Sequence, residues 1–356
     1  MTPNSEPAVV RLKSPADVVG AVPFLIGFHP ADSLVVVGLS GPGGRTGMSS
    51  RADLPPPDDH HNYASQYAAQ VAQAEPDSVI LVCYTEQPDD DGRLPAADVI
   101  EFMIDELSLR EIGCTEALLV RHGRWWSYTC TKPCCPRDGT PLPATPSAEV
   151  AALEARRALE GAAVLPDREA LAKSVQGPVA LRRIALEQRF DEIEERLMEE
   201  VIERGIEAVS AETLSLAQRL RERFSDDPNQ LDDADAVRLI LGLEDKLTRD
   251  VLITWGLDDH REELLAFLTV LVQCAVDHHA PPICTVLGAV AYQHGNGALA
   301  GVALARALRL NPDYEMAQIL DAMLANHVHP REIRTMTRRV RRQLAVPPAR
   351  EDGMAA

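Results

Sequence analysis

Strand-forming signals in this chain stop at about residue 130, where a stretch crowded with proline begins (TKPCCPRDGTPLPATPS, 131–147), and from 148 onward only helical periodicity remains. At 356 residues the chain is longer than one hydrophobic core usually organises. The break therefore reads as the border between an α/β domain and an all-α domain. The expected layout is a flexible N-terminus over 1–12, an α/β domain over 13–147, a helical domain over 148–328, and a basic helix with a flexible tail over 329–356.

Within the first half, Ser14 and Pro15 read as the N-cap and first position of a helix over 14–28. SLVVVGL (33–39) is a β-branched run, and a Gly/Pro loop leads to a second strand ending at Arg51-Ala-Asp-Leu, so the two are expected to pair as a hairpin. The unbroken apolar SVILVCYT (78–85) suits a central strand covered on both faces. A helix over 96–112 follows, then CTEALLV and RWWSYTC around a turn at His122-Gly123, which places Trp125 and Trp126 on opposite faces. The prediction is a mixed sheet of about five strands with flanking helices, followed by ten helical segments between 148 and 325.

The net charge of -19 repels phosphate backbones and anionic lipid, which disfavours nucleic acid as a partner. No stretch of about 18 apolar residues and no basic-then-apolar leader is present, so no membrane association is expected. Seven cysteines, an odd number in a long chain, fit thiols in a reducing compartment, and the expected location is the cytoplasm. GPGGRTG lacks the lysine and the strand-to-helix context of a phosphate loop, so no cofactor is expected.

Cys130, Cys134 and Cys135 are weak candidates for a metal, because zinc wants four ligands and only one group is visible; a proline-stiffened turn explains them more simply. His29, Asp32 and Ser33 sit too close in sequence for a catalytic triad, and no catalytic residue is assigned. His29 and Asp32 are instead candidates, with Arg51, Asp53 and Arg124, for lining a small-molecule pocket at the strand ends. The arginine-rich tail REIRTMTRRVRRQLAVPPAR is expected to find solvent or the chain's own acidic runs, among them FDEIEERLMEEVIE. In PPICTVLGAVAYQHGNGALAGVALARALRLNPDY (281–314), Leu287, Gly288, Ala300, Ala307 and Pro312 fall at the spacing of a tetratricopeptide (TPR) unit, although Cys284 and Leu304 replace the usual aromatics. One TPR-like hairpin closing the helical domain is the expectation.

Taken in order, LKSPADVVGAVPFLIGFHPADSLVVVGL, RADLP, ALLVRHGRWWSYTCTKPCCPRDGTPLP and AYQHGNGALAGVALARALRLNPDYEMAQIL resemble an actinobacterial family known only as domain of unknown function 4192, over about 13–328. The resemblance implies the same two-part layout and an actinobacterial origin, and brings no activity, cofactor or site residue. The leading expectation for function is a cytoplasmic interaction or scaffold protein that engages another protein through its TPR-like region. The alternative is a small-molecule-binding protein or hydrolase-like enzyme with its site at the strand ends.

Overall fold

The computed structural model describes residues 10–130, 132, 135–159, 164–258, 261–326 and 328–345. The chain divides into two compact units, Met1–Arg168 and Glu169–Ala356.

In the first unit, helix α1 (Pro15–Ile26) starts in a capping box: the Ser14 hydroxyl accepts from the Asp17 amide while the Asp17 carboxylate accepts from the Ser14 amide. Gly27, at φ 90°, stops it. Strands β1 (Ser33–Ser40) and β2 (Arg45–Asp53) form the expected hairpin, with Ser33 opposite Asp53. Helix α2 (His60–Ala72), β3 (Ser78–Tyr84), α3 (Ala97–Ser108), β4 (Gly113–Arg121), β5 (Arg124–Ser127) and the two-residue β6 (Thr140–Pro141) complete it. The sheet order is β2-β1-β3-β4-β5-β6, and only β3 and β4 run parallel, so the sheet is mixed and has six strands rather than five.

Alternation sorts the sheet into two faces. Leu34, Val36, Leu81, Cys83, Leu119 and Trp126 form a core with Tyr67 and Val71 of α2 and Met103 and Leu107 of α3. The opposite face carries Ser33, Val35, Val82, Tyr84, Leu118 and Trp125, and both tryptophans are buried. β3 lies between two strands and has a buried or half-buried side chain at every position, as its continuous apolar run requires.

Helix α4 (Ala148–Leu159) belongs to the first unit, although the sequence border at 147/148 assigns it to the second. Val150 meets Gly20 of α1, and the Arg157 guanidinium donates to the Phe24 carbonyl at 2.8 Å and 3.2 Å. The chain then returns to bridge Phe28 with Leu165 before the units divide.

The second unit is helical: α5 (Arg168–Ser174, opening one residue before the division), α6 (Ala180–Arg204), α7 (Ile206–Asp226), α8 (Asp233–Gly242), α9 (Lys246–Thr254), α10 (Arg261–Cys274), α11 (Ala280–Gln293), α12 (Gly297–Leu310), α13 (Glu315–Ala325) and α14 (Pro330–Gln343). Asp232, Asp245 and Asn296 cap α8, α9 and α12 through their side chains. Every residue of α11 is buried, with α9, α10, α12, α13 and α14 packed about it. It meets α12 closely because Gly288 has no side chain: a Cβ there would lie 2.8 Å from Leu304 Cγ. No helix among the described residues is long and apolar enough to cross a membrane.

Candidate functional site

The hairpin and the crossover bring one end of every long strand to a single edge: the start of β1, the ends of β2, β3 and β4, and the start of β5. The five candidate pocket residues lie along this edge in two groups. Asp32, in the left-handed region at φ 41°, accepts from the Thr85 hydroxyl at 3.1 Å. Arg51 pairs with Asp53 at 2.6 Å and donates to the Ala31 carbonyl at 3.2 Å. His29 exposes its ring, and its amide donates to the Leu165 carbonyl at 3.1 Å. These four residues cluster around the entry to β1.

Arg124 stands apart. It lies three strands from Ser33, roughly 14 Å at the usual strand spacing. Its guanidinium donates to the carbonyls of Asp138 (2.8 Å) and Gly139 (3.0 Å), which holds β6 beside β5. Between the groups, Arg121 pairs with Asp89 at 2.9 Å and lies over the Trp126 ring at 5.0 Å, and His122 pairs with Glu86. Each of the three arginines along this edge is thus committed to a local partner.

Several buried polar atoms near the edge have no hydrogen-bond partner among the described residues, Arg51 Nε and Arg121 Nε among them. Ser33, Tyr84, Val120 and Trp125 pair laterally across four strands, so their side chains share one face. The Ser33 hydroxyl, the Tyr84 hydroxyl and Trp125 Nε1 are buried there without a hydrogen bond. Burial holds the Tyr84 phenol far above its ordinary range, so it stays neutral.

Of the metal candidates, Cys134 lies outside the described residues. Cys130 and Cys135 fall in a turned segment in which the Ser127 hydroxyl accepts from the Cys130 amide at 3.1 Å and the Lys132 carbonyl accepts from the Cys135 amide at 2.9 Å. Trp126 Nε1 donates to the Arg137 carbonyl at 2.9 Å and anchors the far end of that segment. Among the described residues, no group of three His, Cys, Asp or Glu side chains is placed to hold a metal. Burial pushes the Cys83, Cys114 and Cys284 thiols up to about 11, which keeps them protonated at neutral pH.

The second unit carries a surface that the sequence reading did not single out. Helix α6 buries Leu186, Phe190 and Ile193, yet Leu181, Ile184, Met198 and Ile202 are 82%, 54%, 60% and 80% exposed. At about 100° per residue, Ile184, Met198 and Ile202 fall within about 40° of one another, on the side away from the buried stripe. Ile206, just past the Gly205 break that opens α7, is exposed as well. The signal was present as a second apolar stripe on the same helix, masked by seven intervening carboxylates between 191 and 203. By contrast, α11 and α12 expose no large apolar side chain.

A mixed antiparallel-dominated sheet layered with helices, continued by an all-helical unit, defines a two-unit α/β plus all-α protein. The model of the family described as "Domain of unknown function (DUF4192)" matches residues 15–331, and the chain belongs to that family. Comparison with curated proteins and with solved structures gave no match.

Proposed function

We propose that this chain is a cytoplasmic protein-interaction platform whose docking surface is the outer face of α6. The exposed Leu181, Ile184, Met198 and Ile202 carry this reading. A large aliphatic side chain gains on the order of 1.5 kcal/mol or more when removed from water, so a file of four on one helix marks a surface built to be covered. The TPR-like spacing of α11 and α12 supports a role for that hairpin as the rigid interior of the platform, since its apolar residues are spent on packing. The test is recovery of partners on tagged protein from its native cytoplasm, comparing the parent with Met198→Lys/Ile202→Lys. A stoichiometric partner lost in the double variant supports the reading. Retention of every partner by a variant that is folded by circular dichroism overturns it.

A small-molecule site at the strand ends is the second reading, favoured by the unpartnered Ser33 and Tyr84 hydroxyls close to Asp32 and Arg51. A metabolite that raises the melting temperature of the parent but not of Tyr84→Phe supports it. No shift with any metabolite counts against it.

A further inference from the structure

Helix α14 turns Ile333 and Thr337 inward and leaves a file of cations outside. Arg341 pairs with Asp258 at 2.6 Å and Arg334 donates to the Gly256 carbonyl at 3.3 Å. Arg331, Arg338, Arg339 and Arg342 are exposed and make no ion pair among the described residues. Arg331, Arg338 and Arg342 fall within about 40° of each other, opposite the buried stripe. The same unit offers the opposite charge on another helix. On the outer face of α6, Asp191 and Glu195 stand between the exposed apolar side chains, and neither makes an ion pair among the described residues.

Three properties match these faces to each other. Each is a regular helix, of 14 residues for α14 and 25 for α6, so one can lie along the other over its whole length. The charges are opposite. Their spacing is also equal: Arg338 and Arg342 are four residues apart, as are Asp191 and Glu195, so both pairs close at once, about 6 Å apart along the axis. Within one chain, α14 packs on α9 and α11 while α6 packs on α7 and α8, so the two faces are not used on each other.

From this we infer that the occupant of the α6 face is a second copy of this chain, which lays the arginine file of its α14 on Asp191 and Glu195 and covers Met198 and Ile202. The inference rests on α6 being a docking surface and names what docks there. The net charge of -19 opposes self-association at long range. At about 0.1 M salt the Debye length is roughly 10 Å, which screens that repulsion while leaving contact pairs in place.

Light scattering on the full chain as a function of concentration tests it. In about 0.1 M salt the mass is expected to rise above the 38.8 kDa of one chain. It should rise less in about 1 M salt, where contact pairs are screened. Arg338→Glu/Arg342→Glu and Asp191→Arg/Glu195→Arg should each weaken association by at least about tenfold, the loss expected for one to two exposed pairs in each direction. An equimolar mixture of the two variants, in which reversed charges meet again, should recover association. A mass of one chain at every concentration and salt overturns the inference, as does undiminished association of either variant or a mixture that stays dissociated. All four positions are exposed, and circular dichroism melts confirm that the variants fold. A chain that stays monomeric yet loses a different partner on Met198→Lys/Ile202→Lys overturns this inference alone and leaves the interaction reading in place.

Discussion

At the scale of single residues, surroundings separate two glycines that share a backbone conformation. Gly123 and Gly139 both have positive φ, 68° and 71°, but a Cβ on Gly123 meets nothing within 4 Å whereas one on Gly139 would lie 2.3 Å from Trp126. Gly123→Ala is expected to cost only the left-handed penalty of about 1 to 2 kcal/mol. Gly139→Ala adds displacement of a buried ring and should cost about 3 kcal/mol or more, read as a lower urea midpoint by tryptophan fluorescence. A second residue-scale effect concerns His294. Burial, with Arg261 and Arg334 nearby, pushes its imidazole down to about 4. The unfolded chain takes up this proton near pH 6.5 while the folded chain does not until about 4. The neutral histidine's contribution is therefore complete above 6.5 and is lost as the pH falls toward 4. After allowing for partial exposure, His294→Gln should remove about 2 kcal/mol of the stability lost between those values, measured by chemical denaturation across the range.

At the scale of elements, the α11–α12 contact depends on a small residue facing a large one. Gly288→Ala forces Leu304 aside and is expected to cost about 1 to 3 kcal/mol in the parent but little in a Leu304→Ala background, where the cavity left by the leucine takes the added methyl; a double-mutant cycle by urea denaturation should therefore be strongly non-additive. Much of the element order was legible, because its signals are local. Ser14 and Pro15 announce α1, the run at 78–85 announces β3, and proline or glycine punctuates the helices of the second unit. β6 was not legible, since two residues ending in proline have no periodicity and exist as a strand only because Arg124 and Trp125 pair with them. Nor was the place of α4, which rests on Gly20 and Phe24 more than a hundred residues earlier. Of the candidate pocket, sequence located the shared strand-end edge but could not see that Arg124 is held by the carbonyls of 138 and 139, a contact set by the fold of the turn. The outer stripe of α6 was hidden for another reason: alternating carboxylates lower the mean hydropathy of a segment whose apolar side chains still gather on one side.

For the whole molecule, the division at 168/169 has a measurable consequence. A fragment ending at 168 keeps the Lys13–Glu149 pair, the Val150 contact with Gly20 and the Arg157 bonds to Phe24, whereas one ending at 147 loses all three. Fragment 10–168 is therefore expected to melt several degrees above fragment 10–147 by circular dichroism, and equal melting would place α4 with the helices that follow it.

The burial of every residue in α11 gives the second unit an internal clock. Amides in the middle of this helix have no fraying end and no exposed side through which water and base can reach them, so they exchange with deuterium only when the surrounding helices part together. Their exchange rate then reports the opening of the unit as a whole, while amides on the outer face of α6 report local breathing. A partner that binds α6 on the closed unit would slow the second set by covering it and the first by making the opening of the whole unit rarer.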